Sequence, residues 1–260
     1  MKSARKLTKR SQRSQHRRFL AEGPQAVREA LAVSAGAEDL VTVVFGTGDC
    51  ARREPGLVAA AAAAGVCWHD VADDVLRTLA QTVTPQGVVA VCRFVDRPLE
   101  QLVAHSPRLL AVCADVRDPG NAGTVIRCAD AAGADGVVLA GSSVDPYNGK
   151  VVRATAGSLF HLPLSVGVPV SEAVSTARSA GLRVLAADGS GDVDLFEAES
   201  SGLLAGPVAW LFGNEAWGLP DDVAATADSV VRVPIRGRAE SLNLATAAAV
   251  CLYASARARR

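Results

Sequence analysis

From residue 109 to residue 233 the chain alternates short apolar runs with helical segments, and this rhythm limits its fold more than any other feature. Leu109-Leu-Ala-Val-Cys-Ala, Gly136-Val-Val-Leu-Ala, residues 182–187, Val208-Ala-Trp-Leu-Phe and Ser229-Val-Val-Arg-Val read as strands. Between them run helical segments, one ending at Ala132 with Ala122, Val125, Ile126 and Ala129 on a single apolar stripe. Strands followed by helices at this spacing predict a largely parallel, doubly wound α/β sheet. Ligands on such sheets bind beyond the carboxyl ends of the strands. Three strand ends carry glycine there, at residues 140–141, 213 and 234–237. A helix over residues 242–256 closes the chain. It is small and apolar on nearly every face, as expected of a helix covered on both sides.

Upstream, residues 19–95 read as a smaller α/β unit. A helix follows Gly23-Pro24, with apolar positions at 26, 27, 30 and 31. Strands are predicted at residues 39–45, 65–68 and 86–92, and helices at 57–64 and 70–80. Residues 96–108, a polar stretch bearing Pro98 and Pro107, read as a linker to a domain over 109–260.

The net charge of zero conceals an uneven distribution. Residues 1–18 hold eight basic residues and no acid, which leaves 19 Lys and Arg against 27 Asp and Glu in the remainder, a net of −8. A flexible basic tail on an acidic body suggests a polyanionic partner. Lys2, Arg5, Lys6, Lys9, Arg10, Arg13, Arg17 and Arg18 are therefore candidate RNA contacts, as are Lys150 and Arg153 at a polar loop running into a helix. No run is apolar and long enough to span a membrane, and no apolar h-region follows the charged start. The six cysteines are scattered with no C-x-x-C pair, which argues for reduced thiols in a cytoplasmic protein and against a zinc site or any other metal.

Gly46-Thr-Gly-Asp-Cys-Ala fits the G-x-G-x-x-A pattern of dinucleotide sites, with Asp70 about twenty residues on. Asp49 would set a carboxylate where a pyrophosphate should sit, and Pro55 should break the required helix. A glycine-rich turn is the better reading, and an oxidoreductase the weaker one.

The densest polar stretch is Val233-Pro-Ile-Arg-Gly-Arg-Ala-Glu-Ser-Leu-Asn-Leu-Ala. Capping the helix that follows needs one polar residue, not five within eight positions. Together with Asn121-Ala-Gly-Thr-Val-Ile-Arg and Leu211-Phe-Gly-Asn-Glu-Ala-Trp-Gly, it resembles the three ordered motifs of the SpoU/TrmH branch of the SPOUT methyltransferases. That resemblance covers residues 109–257. Residues 19–95, opening on Phe-Leu-Ala-Glu-Gly-Pro, resemble the family's amino-terminal RNA substrate-binding domain.

The resemblance implies a deep trefoil knot in the carboxy-terminal domain, an obligate homodimer, and S-adenosylmethionine held in a bent conformation. The implied reaction moves a methyl group to a ribose 2′-hydroxyl of RNA. Large-subunit (23S) ribosomal RNA is favoured as substrate; tRNA methylation and a non-catalytic ribosome-assembly role are alternatives. Cofactor contacts are implied at Ala140, Gly141, Leu211, Gly213, Asn214, Glu215, Gly218, Val233, Ile235, Ser241 and Leu242. Catalytic roles are implied for Asn121, Arg127, Glu215, Ser241 and Asn243. Arginine stays protonated, so Arg127 is better read as a phosphate clamp that lowers the hydroxyl's pKa than as a base. Glu215 is expected to orient Arg127 or to take a proton through water. Arg236 and Arg238 are left for RNA or a second protomer.

Overall fold

A computed structural model describes residues 1–36 and 40–259. It divides into two compact units, one of residues 1–95 with 145–161 and the other of residues 96–144 with 162–260.

The first unit is built on strands β1 (Arg18–Glu22), β2 (Val41–Gly46), β3 (Trp68–Asp70) and β4 (Val88–Arg93), in the order β1-β4-β2-β3. β4 runs antiparallel to both β1 and β2, and β2 pairs parallel with β3. The Pro24–Ser34 helix buries Ala26, Val27, Ala30 and Leu31, the stripe that its periodicity predicts. A second apolar cluster joins Leu20, Phe45, Val89 and Val91 of the sheet to Leu76, Leu79, Ala4 and Leu7.

Those last two residues overturn the expectation of a flexible tail. Lys2–Lys6 and Arg10–His16 are helices, and Ala4 and Leu7 are buried. Arg13 is buried too. Its guanidinium donates to the carbonyls of Leu7 and Thr8 at 3.0 and 2.9 Å and pairs with Asp145 at 2.6 Å. It is therefore not a surface RNA contact. Arg153 likewise pairs with Glu22 at 3.0 Å. The same carboxylate accepts from the Gln81 backbone N–H and the Thr82 hydroxyl. Tyr147 stacks on Phe94, with ring centroids 3.7 Å apart, and accepts from the Val95 N–H. These contacts explain why residues 145–161 join the first unit although they fall within the single stretch 109–260 that the sequence suggests.

The Gly46 turn is also settled. A short helix, Gly48–Arg53, does start at the second glycine, capped by the Thr47 hydroxyl, and it ends before Pro55. A Cβ on Gly46 would lie 2.0 Å from the Trp68 ring, so glycine serves packing there rather than a phosphate.

The second unit carries β5 (Leu109–Ala114), β6 (Gly136–Ala140), β7 (Leu164–Val166), β8 (Arg183–Ala187), β9 (Val193–Asp194), β10 (Val208–Phe212) and β11 (Ser229–Arg232). Their order is β7-β6-β5-β10-β8-β11-β9 and every pairing is parallel. β5, β6 and β10 are buried along their whole length, as expected of strands covered on both faces. The chain runs outward from β5 to β7 and returns at β8 on the other side of β10. That reversal makes a topological switch point.

On one face Leu110, Val112, Val138, Ala186 and Leu211 pack with Leu99, Leu102, Ala173, Val174 and Ala177. Leu99 and Leu102 belong to a helix, Leu99–Val103, so residues 96–108 are part of this core rather than a linker. On the other face Trp210 is fully buried and its indole N–H donates to Ser255 at 2.8 Å. Ser255 lies on the Leu244–Ala258 helix, which also packs on Pro119–Ala131. That last helix buries Ala245, Ala248, Cys251, Leu252 and Ser255. Among the described residues of this helix only that stripe is fully buried, and Tyr253 on the opposite side stays half exposed.

Candidate functional site

A cleft of about 640 Å³ opens where β8, β10 and β11 end. Three loops wall it. After β8 come Asp188 and Gly189, after β10 the stretch 213–216 with Gly218, and after β11 residues 233–236 with 240–242. Pro234 follows β11 and cannot donate to a ladder, which releases the backbone beyond the strand.

The loop after β10 is tightly built. Asn214 and Gly218 exchange backbone hydrogen bonds of 2.8 and 2.9 Å. A Cβ on Gly213 would lie 2.4 Å from the Gly218 backbone, so only glycine allows this closure. Asn214 is buried, donating to the Asp115 carbonyl at 2.7 Å and accepting from the Ala216 N–H at 2.9 Å.

Glu215 is turned toward the start of the Pro119–Ala131 helix. Its carboxylate accepts from the backbone N–H groups of Arg117 and Asp118 at 3.1 and 3.0 Å, and from the Asn121 amide at 3.2 Å. The Asn121 oxygen in turn accepts from the Asn243 amide at 3.0 Å. Asn243 caps the final helix by accepting from the N–H groups of Ala245 and Thr246. A relay of three short side chains therefore ties the turns after β5, β10 and β11 into one frame. Within its own chain Glu215 bonds Asn121 rather than Arg127.

Arg127 lies six residues beyond Asn121, about 9 Å farther along the helix axis. It is exposed, does not line the cleft, and makes no hydrogen bond or ion pair among the described residues. Of the expected cofactor contacts, Gly213, Asn214, Glu215, Gly218, Val233, Ile235, Ser241 and Leu242 line the cleft. Ala140, Gly141 and Leu211 do not. Leu211 is fully buried inside β10. Ala140 and Gly141 end β6, which β5 separates from β10. Gly141, at φ +63°, serves a turn in which Asp115 accepts from the Ser142 N–H at 2.6 Å. The residues missed include Ala187, Asp188 and Gly189 after β8, Asp194 of β9, and Arg232, Glu240, Leu244 and Ala247 around the third loop. The Asp188-Gly189 turn signal directly after a strand could have disclosed those after β8.

The cleft suits a cationic, partly apolar ligand. Asp188, Asp194, Glu215 and Glu240 line it beside Arg232 and Arg236. Arg232 is engaged elsewhere, donating to the carbonyls of Gly191 and Asp192 at 2.7 and 3.0 Å. Ile235, Leu242, Leu244 and Ala247 supply an apolar wall. A sulfonium nucleoside needs both features, and the volume lies in the ordinary range for small-ligand sites. Beneath the cleft, burial first and the nearby Glu215 carboxylate second push the Cys113 thiol up to about 12, which leaves it inert. Among the described residues no cluster of three or more His, Cys, Asp or Glu could hold a metal ion. No helix among them is long and apolar enough to cross a membrane.

A parallel sheet whose switch-point cleft is framed by three glycine-bearing loops defines the class to which comparison with known proteins leads. Residues 108–253 match the SpoU rRNA Methylase family and residues 1–90 the MRM3-like substrate binding domain. The chain belongs to the SpoU rRNA methylase family. It is 32% identical, over 97% of its length and 94% of the relative's, to the 23S rRNA (guanosine(2553)-2'-O)-methyltransferase RlmP of Bacillus subtilis. The crystal structure of an AdoMet-bound rRNA methyltransferase from Sinorhizobium meliloti superposes with a TM-score of 0.84 at 34% identity, covering 98% of this chain and 93% of that one. The SpoU methyltransferase AviRb from Streptomyces viridochromogenes, in complex with AdoMet, gives 0.82 at 30% identity over 99% and 97% of the two chains.

Proposed function

We propose that this protein transfers the methyl group of S-adenosylmethionine to a ribose 2′-hydroxyl of 23S ribosomal RNA. The observation that carries the reading is the Glu215–Asn121–Asn243 relay, which ties the Asn121 segment to the two motif-bearing loops that line the cleft. The bound cofactor supplies an electrophilic methyl on a positively charged sulfur. Asp188, Asp194 and Glu240 would balance that charge, and Ile235, Leu242 and Ala247 would offer the adenosine an apolar wall. Methyl transfer forms an oxygen–carbon bond, breaks the sulfur–carbon bond, and releases the hydroxyl proton and S-adenosylhomocysteine. In-line placement can supply on the order of 7–11 kcal/mol of the barrier at best.

Arg127 acts as the phosphate clamp. Its absence from its own chain's cleft supports a homodimer in which RNA enters between protomers and one protomer's Arg127 serves the other's cleft. The open side of the final helix supports the same assembly. Ala131, Ala132, Phe196, Val250 and Tyr253 line a groove of about 520 Å³ there, with Phe196 and Tyr253 half exposed. The family's trefoil knot belongs to this reading, as does a cytoplasmic location where ribosomal RNA is reached. The first unit binds RNA through Lys2, Arg5, Lys6, Lys9, Arg10, Arg17, Arg18 and Lys150, whose residues are exposed.

The test is transfer of labelled methyl from S-adenosylmethionine to 23S rRNA and to tRNA, with the ribose mapped. Labelling of one 23S ribose is expected. Labelling of tRNA alone would replace the substrate, and cofactor binding without any transfer would make the chain an assembly factor.

A further inference from the structure

Trp217 sits at the tip of the 214–218 loop with 53% of its surface exposed, although the other indole of this unit, Trp210, is fully buried. The loop cannot fold the ring inward. Its ends are pinned by the Asn214–Gly218 backbone bridge, its first turn by Asn214 on Asp115, and its centre by Glu215 on the N–H groups of Arg117 and Asp118. The Arg117 guanidinium lies over the indole, 5.2 Å from the ring centroid. On either side of Trp217, Ala216 and Gly218 line the cleft.

An exposed aromatic ring on a rigid loop, backed by an arginine, has the chemistry of a base-stacking platform. Every nucleobase offers a π-face to such a ring. The guanidinium on the ring adds cation–π attraction and leaves donors for a neighbouring phosphate. We propose that Trp217, backed by Arg117, stacks a nucleobase of the RNA next to the ribose being methylated. The proposal rests on the reading of the cleft as a methyl-transfer site. It assigns Trp217 to RNA rather than to the cofactor or to a second protomer.

The test uses the full chain, an rRNA fragment that the wild type methylates, and the variants Trp217→Ala, Trp217→Leu, Trp217→Phe and Arg117→Lys. Trp217→Ala and Trp217→Leu should weaken RNA binding by roughly tenfold to a hundredfold, the range that loss of one base stack produces. Trp217→Phe should recover most of it, and Arg117→Lys should fall between. Affinity for S-adenosylmethionine and sedimentation behaviour should match the wild type throughout. RNA should quench tryptophan fluorescence in the wild type, and the part of the quench due to Trp217 should be absent in Trp217→Phe, leaving at most that of Trp68. Equal RNA affinity of the leucine and phenylalanine variants would overturn the stack, and a variant that sediments as a smaller species would assign the ring to a protein interface. A wild type that binds no cofactor and methylates nothing would instead sink the underlying functional reading.

Discussion

The first unit ties its critical arginines down, whereas the second leaves its own in the open. Arg13 and Arg153 are held by Asp145 and Glu22, and Arg13 also closes the carbonyl end of the first helix. Arg127, Arg236 and Arg238 are exposed. The same residue type is structural in one place and solvent-exposed in the other. The difference lies in whether a carboxylate comes within reach when the chain folds, and spacing along the sequence does not reveal that.

The contrast is strongest at Arg13. Replacing it with Ala strands Asp145 in a site where only 12% of its side chain is exposed. Unfolding in urea should register a loss of about 3–5 kcal/mol. Arg13→Met paired with Asp145→Leu should restore only part of that, since the buried charge is removed but the Leu7 and Thr8 carbonyls and the Tyr147 N–H lose their partners. An unaffected Arg13→Ala midpoint would place the residue with the free arginines after all.

Arg127→Ala should behave in the opposite way. We expect methyl transfer to fall at least a hundredfold, about 2.7 kcal/mol of transition-state stabilisation, with cofactor affinity and the urea midpoint nearly unchanged. Retention of more than about a tenth of the wild-type rate, a loss of only ~1.4 kcal/mol, would remove its catalytic assignment.

Replacing Lys2, Lys6 and Lys9 with Gln should lower the salt dependence of RNA binding by roughly 0.7–0.9 in log–log slope for each phosphate that is no longer neutralised. These side chains are exposed while Ala4 and Leu7 between them are buried, so the substitutions spare the fold that deleting the segment would damage. An unchanged slope would leave this charge without a nucleic-acid role.

The smallest effect is expected at Arg178, anchored but largely solvated. Burial raises the Asp228 pKa, but the Val184 N–H and the Arg178 guanidinium together outweigh it and hold the carboxyl below its ordinary value. A depressed folded pKa means that the stabilisation is present above the unfolded value of about 3.9. It is lost as pH falls through the lower folded value. With 47% and 36% of the two side chains exposed, solvent screening keeps the pair within ~1 kcal/mol. Arg178→Ala should change stability by that much at pH 7 and by less at pH 3; an equal loss at both would deny the pair any role.

The parallel sheet was legible because its strands are buried on both faces and read as continuous apolar runs bounded by glycine. β7 and β9 were not, since three and two residues carry no periodicity. The Leu99–Val103 helix was hidden by the prolines around it, and the two amino-terminal helices by charge so dense that Ala4 and Leu7 did not stand out. At the site, the loops after β10 and β11 were readable from their surplus polar groups. The wall after β8 was passed over for the end of β6, because strand order across a sheet is not written in sequence order. That Glu215 reaches Asn121 rather than Arg127 follows from loop closure around Gly213, which needs three-dimensional contact to appear.

The relay from Glu215 through Asn121 to Asn243 also fixes when the site can exist. Its members are separated by 94 and 122 positions from Asn121, so every contact closes a long loop, and such contacts form late and slowly. Domains emerge from synthesis at about 5–20 residues per second, amino terminus first. A nascent chain that stops short of residue 240 already contains all seven strands of the second sheet but lacks Glu240, Ser241, Leu242, Leu244 and Ala247 from the wall of the cleft. The wall of the cleft is therefore completed only by a segment made after the whole sheet, the same segment whose helix covers Trp210 on the sheet face.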